Sequence, residues 1–232
     1  MSTVQDLLDI LDDKLMAYST VNALLTPAGG STSLTKKIQA LNTGQHKVWQ
    51  ILVAAGKDHR TNWFGKVSSE VFATGVNSEA LPTDFHDLLW AESTSVLMKA
   101  GAQHRMSWQQ DRKDNSSATP GDLRVLYYLV TGDYTPNLEI SRKTTGVTVD
   151  VHYTSILPGW TAAGDNSDRI PTPFYDAICN WAASDLLNSA QNPAVATLWF
   201  QKWQDDKAMI AAAAARRQLG DVISSEGFDS AG

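Results

Sequence analysis

The spacing of the hydrophobic residues changes twice along this chain, from three- and four-residue steps to alternation and back again. Steps of three and four place apolar side chains on one face of a helix, whereas alternation places them on one face of a strand. The spacing predicts helices over residues 3–25, 34–55, 173–191 and 194–219. It predicts strands near residues 67–73, 124–131, 137–142 and 147–155. We therefore expect an α+β fold, in which a helical bundle of N- and C-terminal helices carries an inserted antiparallel β-sheet.

This pattern divides the chain into three parts. Residues 1–60 and 170–220 are expected to form the helical bundle, and residues 61–169 the inserted β-rich region. Gly220 is expected to end the last helix, because glycine commonly follows a helix C-terminus. Residues 221–232 contain few apolar side chains and are expected to form a flexible C-terminal tail.

The strand predictions include the faces of the strands and one hairpin. In the segment 147–155, four alternating residues are expected to share the buried face, namely Val147, Val149, Val151 and Tyr153. The alternation of Val67 and Val71 likewise predicts a half-buried strand. The turn at residues 143–146 is expected to join the last two strands as a hairpin. Pro82 predicts a corner in the chain, and Asp84 is expected to cap a short helical turn over residues 85–91.

Three features of the helices suggest close packing. Gly44 lies in the middle of a predicted helix, where it costs up to ~1 kcal/mol relative to alanine, so a close contact or a bend is expected there. The aromatic cluster Trp199, Phe200 and Trp203 has helical spacing, which favours a place in the core over a ligand-stacking platform, with Trp49 and Trp181 as partners. Cys179 falls on an apolar helix face and is expected to be a buried hydrophobic residue.

Catalytic and metal-binding signatures are missing from the sequence. The single cysteine excludes a disulfide framework and a four-cysteine zinc site, and no two of the five histidines have the i, i+4 spacing of a zinc-binding helix. A glycine-rich phosphate loop and a Gly-x-Ser-x-Gly motif are also lacking. We therefore expect no enzymatic activity and no cofactor.

Charge and hydropathy limit the partners. The net charge of -6 argues against a general nucleic-acid-binding protein, which would carry a basic face. The first 13 residues are acidic rather than basic and then apolar, so no signal peptide is expected. No apolar run approaches the ~20 residues of a membrane-spanning helix. The expectation is a protein made in the cytoplasm with no membrane partner.

Several short patterns, in this order, resemble the head-to-tail adaptor proteins of tailed bacteriophages, which are also called head-completion or connector proteins. They span about residues 30–220. The first are the helix Leu34 to Leu52, the corner Leu81-Pro82-Thr83-Asp84-Phe85, and the strand residues Tyr127-Tyr128-Leu129 and Leu138-Glu139-Ile140. The later ones are the strand Val149-Asp150-Val151-His152-Tyr153 and the helix entry Ile170-Pro171-Thr172-Pro173-Phe174 with Ala177 to Ala183. Ser141-Arg142 replaces a proline often found in the family. The loops at residues 111–122 and 158–168 also depart from its pattern.

The resemblance implies a homo-oligomeric ring, commonly of twelve copies, that binds beneath the portal protein and extends the DNA channel toward tail or neck proteins. It places the protein in the neck of the virion, assembled in the host cytoplasm. DNA would pass through the channel without specific binding, which suits an acidic chain. In such adaptors the C-terminal region often docks onto the portal, which implies portal-binding roles for Arg216, Arg217 and Phe228. The two arginines also lie near the predicted end of the last helix, where positive charges interact favourably with the helix dipole.

Other interpretations remain open at this point. A tail-completion or minor tail protein would have a similar sheet, and six-fold or three-fold symmetry would favour it over a twelve-fold neck ring. A small binding module would use the 147–153 strand to hold a carbohydrate or peptide. An enzyme with a site assembled from distant residues has no support in the sequence.

Overall fold

The computed structural model describes residues 2–18, 31–55, 63–74, 78–92, 127–130, 137–140, 147–168 and 170–226. Its helices are α1 (Val4–Leu15), α2 (Ser31–Ala55), α3 (Tyr175–Ser189) and α4 (Pro193–Glu226). Its strands are β1 (Gly65–Phe72), β2 (Ser78–Ala80), β3 (Phe85–Glu92), β4 (Tyr127–Val130), β5 (Asn137–Ile140) and β6 (Val147–Ser155). The strands pair in antiparallel fashion. The predicted α+β class is confirmed.

The chain forms two compact units. The helical unit comprises Met1–Lys57 and Leu157–Gly232, and the sheet unit comprises Asp58–Ile156. Residues 157–168, placed in the inserted region on sequence grounds, belong to the helical unit because they hydrogen-bond to the start of α1. The amide of Val4 donates to the carbonyl of Asp165 at 2.9 Å, and that of Gln5 to the carbonyl of Ala163 at 2.8 Å.

The first two helices differ from their predicted bounds. The buried stripe of α1 consists of Val4, Leu7, Leu8, Leu11 and Leu15. The α-helix ends at Leu15 and a single 3₁₀ turn, Met16–Tyr18, follows it. Residues 19–25 of the predicted helix lie outside the described residues. The second helix begins at Ser31, three residues before its predicted start.

Helix α3 packs closely on α2 at Gly44. A Cβ atom on Gly44 would lie 2.7 Å from the carbonyl oxygen of Ile178, closer than real Cβ contacts come. This confirms the close packing expected from a mid-helix glycine. The same helix also holds the 157–168 loop: Asn42 donates to the carbonyl of Trp160 at 2.9 Å and accepts from its amide at 2.7 Å. The side-chain amide of Asn42 thus satisfies both backbone groups of one loop residue.

The last two helices follow a short 3₁₀ turn, Thr172–Phe174, that contains Pro173. Helix α3 buries Ile178, Ala182 and Leu186 as predicted, whereas Trp181 is only half-buried. Helix α4 continues through Gly220 to Glu226, so the predicted end at Gly220 is wrong. A helix interior tolerates one glycine at a cost of roughly 1 kcal/mol, and no proline follows to force a stop.

The sheet unit contains two three-stranded sheets. Their strand orders are β1-β6-β3 and β2-β5-β4. The predicted hairpin of residues 137–142 with 147–155 is therefore wrong, since β5 and β6 belong to different sheets. Both edges of β6 are already paired, one with β1 and the other with β3. The ambiguous segment 94–109 and the loop 111–122 lie outside the described residues.

The buried face of β6 is as predicted at Val149, Val151 and Tyr153, while the side chain of Val147 lies outside what the structure describes; the face of β1 is reversed. Val149, Val151 and Tyr153 are buried in a core with Phe72, Leu81, Phe85, Ala91 and Leu138. Lys66, Ser68 and Glu70 pair with Tyr153, Val151 and Val149, so the alternate residues of β1 face the other way. Val67 and Val71 are consequently 59% and 63% exposed. Alternation predicted the strand, but it did not predict which of its two faces is buried.

The corner at Asp84 leads into a strand. The predicted helical turn over residues 85–91 is wrong, because this segment is β3 and Phe85 pairs with Ser155 of β6. Asp84 accepts a hydrogen bond from Lys66 and a second from the Tyr153 hydroxyl at 2.9 Å. Burial opposes its ionisation, but these donors outweigh it and lower the pKa of Asp84. Burial, together with the bond to Asp84, raises the pKa of Tyr153 to about 12.

Candidate interaction surfaces

A groove runs between α3 and the first two turns of α4 in the helical unit. Its volume is about 320 Å³, and it is lined by Trp181, Ser184, Asp185, Asn188, Pro193, Ala196, Thr197 and Phe200. The groove forms because α4 starts only a few residues after α3 ends, and Gln191 between them adopts a left-handed φ of 60°. The Ser184 hydroxyl donates to the carbonyl of Ala196 at 3.0 Å and ties the two walls together.

Aromatic rings form the apolar floor of this groove. Trp181 lies 5.6 Å from Trp203, edge to face, and 6.0 Å from Phe200, measured between ring centroids. Trp203 is buried and belongs to the core as predicted, with Trp181 as its expected partner. Trp49 is buried too, and its ring stacks on His46. Phe200 is 40% exposed, so its predicted place in the core is wrong: it lines the open groove.

The indole of Trp181 has two notable polar features. Its Nε1–H is buried and has no hydrogen-bond acceptor among the described residues. Such a donor costs free energy, about 1–3 kcal/mol, until an acceptor reaches it. The ammonium of Lys47 lies 5.6 Å from the centroid of the Trp181 ring, within the range of a cation–π contact.

A lysine lies beyond the groove on α4. Lys207 lies seven residues after Phe200, which places it about 20° round the helix and about 10 Å further along the axis. It is exposed, as is Gln204 between them. The one charged side chain among the residues that line the groove is Asp185, an exposed carboxylate on the α3 wall.

The outer face of α1 is acidic. Asp6, Asp9 and Asp13 are exposed on it, and Met16 at its end is 61% exposed. Asp12 differs from these three, because it forms an ion pair with the fully buried Lys37. The exposed part of α1 thus combines three carboxylates with one large apolar side chain.

Lys14 of α1 contacts both α3 and α4. Its ammonium forms an ion pair with Asp176 at 2.9 Å and lies 5.0 Å from the ring centroid of Trp199. Trp199 and Phe200 are consecutive, so their side chains point about 100° apart. Helix α1 therefore lies on a different side of α4 from the groove.

Over residues 193–215, where side-chain burial is described, α4 buries only a narrow stripe, which consists of Ala196, Trp203, Ile210 and Ala214. Leu198 and Met209 are exposed on its outer side, and Met209 is 64% exposed. Ala211, Ala212 and Ala215 are exposed as well. An apolar helical segment with so little cover is typical of a surface that another protein covers.

The predicted portal-binding residues are positioned only in part. Arg216 and Arg217 lie within α4, nine residues or more before its end at Glu226, so the helix-dipole explanation for them is wrong. Their side-chain surroundings are outside what the structure describes. Phe228 lies outside the described residues altogether, as do residues 227–232.

No group of three or more potential metal ligands occurs within the described ranges. His152 stacks on Trp90 with 3.8 Å between centroids and lies 3.0 Å from a Glu92 carboxylate oxygen. Cys179 is buried as predicted, its thiol donates to the carbonyl of Leu7, and burial raises its pKa to about 12. A thiol in this environment stays protonated at neutral pH and is a poor nucleophile.

Comparison with known proteins identifies the family. The family model described as SU10 adaptor protein matches residues 3–224, nearly the whole chain. The chain belongs to the SU10 adaptor family. This is a family of phage head-to-tail adaptors, and the resemblance inferred from the sequence is confirmed. A search of curated proteins gave no match.

Membership establishes the general role. The protein is a phage adaptor and a virion component, and an adaptor of this family interacts with phage portal and tail proteins. Structural adaptors of this kind are typically non-enzymatic. Among the described residues, no helix is both long and apolar enough to span a membrane.

The groove and the acidic face of α1 were not predicted from the sequence. Helical spacing assigned Trp181 and Phe200 to the core, because both fall on the apolar stripes of their helices. The available signal was the short run from Ser189 to Pro193, since a connection this short makes α3 and α4 neighbours in space. The alternation of aspartates with leucines in α1 was visible, but it was used only to locate the buried face.

Proposed function

We propose that the protein forms a ring beneath the portal of a tailed phage, extends the DNA channel and connects it to the tail. The observation that carries the proposal is the family match over residues 3–224, which includes both the helical unit and the sheet unit. We infer twelve copies per ring, assembled in the host cytoplasm and located in the neck of the virion.

The charge of the chain supports a passive channel. With a net charge of -6, the protein has no excess of cations to neutralise phosphates. Proteins that bind DNA strongly release counterions through many lysine and arginine contacts, and such contacts would slow DNA on its way out. We therefore expect DNA to pass the ring without sequence-specific or tight binding.

We propose that the end of α4 and the residues after it dock onto the portal. Arg216 and Arg217 would meet an acidic portal surface, and Phe228 would fill an apolar pocket. The length of α4 supports this role: at about 1.5 Å per residue, its 34 residues extend ~51 Å, whereas the 15 residues of α3 extend ~23 Å. The far end is thus well placed to reach a neighbouring protein.

Portal binding is tested with purified portal rings and variants of the adaptor. A chain truncated after Glu226 keeps α4 whole and removes Phe228, and Arg216→Glu with Arg217→Glu reverses the two charges. We expect both variants to fold and to bind portal rings at least tenfold more weakly, as anchor residues at interfaces do. Lys36→Glu, an exposed change on α2, is the control and should bind normally. Unchanged binding by both variants would place the docking surface elsewhere.

A further inference from the structure

Strand β1 lies at one edge of its sheet and pairs with β6 over eight consecutive residues without a register shift. The opposite edge, β3, has shifts between Phe85 and Asp87 and between Leu88 and Trp90. The edges of the second sheet, β2 and β4, have only three and four residues. Bulges and short lengths hinder the addition of a further strand. Among the described strands, β1 is therefore the edge that is best suited to accept one.

The hydrogen-bond pattern shows which backbone groups of β1 face away from its sheet. The amide of Ser155 donates to the carbonyl of Phe64 at 2.9 Å, and the register places these two residues opposite each other. Hydrogen-bonded pairs alternate with non-bonded pairs along antiparallel strands, so every second residue after Phe64 bonds to β6. The residues between them direct their N–H and C=O groups outward, and they are Gly65, Val67, Ser69 and Val71. All four are exposed, and these groups have no partner among the described residues.

The side chains along this edge complement those of a second β1. Val67 and Val71 are 59% and 63% exposed, and they lie on one face with Ser69 between them. In an antiparallel pair of β1 strands centred on Ser69, Val67 of each copy lies opposite Val71 of the other. Apolar side chains that lie directly opposite each other stabilise such a pair. A pair centred on Ser68 would instead place Val67 opposite Ser69 and Val71 opposite Gly65, and it would bury less apolar surface.

We propose that two copies of this chain pair along β1, antiparallel and centred on Ser69. The outward backbone groups of each β1 bond to those of the other, and the two three-stranded sheets become one continuous sheet. On the other face, Glu70 of each copy lies opposite Ser68 of its partner, so like charges do not meet directly.

The symmetry of this contact separates it from the proposed ring. Two identical strands that meet about a two-fold axis join two copies and do not propagate around a ring, as a head-to-tail contact does. The pair therefore belongs to the free chain before assembly, where it covers a strand edge that would otherwise be open to aggregation. One strand from each copy makes a contact smaller than a standard interface, so we expect the dimer to dissociate on dilution.

Introduced cysteines test the register directly. Hydrogen-bonded partners in an antiparallel pair have Cα atoms about 5.5 Å apart, within reach of a disulfide. Under mild oxidation, Ser69→Cys chains should form a linked dimer, and Val67→Cys chains should link to Val71→Cys chains. Val67→Cys chains alone are the matched control, because their Cα atoms would be about 14 Å apart along the strands and should stay unlinked. Cys179 is buried and protonated, so it supplies no competing thiol.

Sedimentation over a range of concentrations measures the pairing without a cross-link. Val67→Lys with Val71→Lys replaces two exposed side chains and places lysines opposite each other in the pair, so the dimer should dissociate at least tenfold more readily. Leu198→Lys with Met209→Lys is the control: it makes the same change in charge at two residues of similar exposure, 58% and 64%, on α4. This control should leave the dimer unchanged.

Three results would overturn the proposal. They are unlinked Ser69→Cys chains, equal linking of Val67→Cys chains with and without Val71→Cys chains, and equal sedimentation of the two lysine variants. Since the contact lies outside the proposed ring, any of them would leave the adaptor role unchanged, and portal binding by the wild-type chain tests that role separately.

Discussion

Replacing Gly44 with alanine has two opposite effects on the free energy of unfolding. Alanine is the better helix former by about 1 kcal/mol, so propensity alone predicts that Gly44→Ala stabilises the protein. The structure predicts the reverse. The new Cβ would lie 2.7 Å from the carbonyl oxygen of Ile178 and 3.2 Å and 3.3 Å from its Cγ2 and Cα.

The size of the loss follows from which atoms must move. Two of these three contacts are with the backbone of α3, which is buried between helices and cannot swing aside as a side chain can. Overpacking of this kind costs about 1–3 kcal/mol, and the gain in propensity offsets about 1 of that. Because the contacts are with backbone atoms, we expect an overpacking cost of about 2–3 kcal/mol, and therefore a net loss of about 1–2 kcal/mol in the free energy of unfolding.

Urea denaturation followed by circular dichroism measures this difference. Thr43→Ala, at an exposed position on the same helix, is the matched control and should change the midpoint little. A Gly44→Ala protein that is more stable than the wild type would show that α2 and α3 do not approach as closely as described, and it would refute the reasoning.

Four further changes test other parts of the account. Trp203→Ala should cost about 3–5 kcal/mol, because it removes a buried aromatic ring; an unchanged denaturation midpoint would exclude its place in the core. Asn42→Ala should cost about 1–3 kcal/mol through the two lost bonds to Trp160, and faster proteolysis within residues 157–168 should accompany it, whereas Gln39→Ala should leave both unchanged. The pKa of Asp84 is lower in the folded protein than in the unfolded chain, so its ionised form stabilises the fold above the unfolded-state pKa, and this stability is lost as pH falls through the folded-state pKa. Asp84→Asn should therefore make the free energy of unfolding depend less on pH on the acid side. An unaltered dependence on pH would contradict this. The thiol of Cys179 should react with iodoacetamide at neutral pH only after unfolding, and rapid labelling of the native protein would show that it is accessible.

The parts of the fold that depend on local spacing were predictable. The stripe of α1, the buried face of β6 and the close contact at Gly44 all follow from residues near one another in sequence. Each is decided by periodicity or by the size of one side chain, and both can be read directly from the sequence.

The errors concern choices between distant partners. Residues 143–146 suit a turn, yet β6 pairs with β1 and β3, some 60 to 90 residues earlier, and so cannot form the local hairpin. The face of β1 depends on its register against β6, and a shift of one residue exchanges the two faces. At Gly220, propensity permits a helix to continue as well as to stop.

The candidate surfaces were the least predictable part. A groove is the space left between two helices, so its existence depends on how α3 and α4 pack together and not on the pattern of either helix alone. Helical spacing placed Trp181 and Phe200 on apolar stripes, but it could not show that both side chains line an open groove. Recognition of the family, by contrast, needed only the order of short motifs.

The most direct test of the central claim is cryo-electron microscopy of the purified protein mixed with its portal. We expect a closed twelve-fold ring of this chain on the tail-facing side of the portal, coaxial with the DNA channel, with α4 directed toward the portal. A six-fold or three-fold assembly, or density for this chain only at a distance from the portal, would contradict the account and favour a tail protein instead.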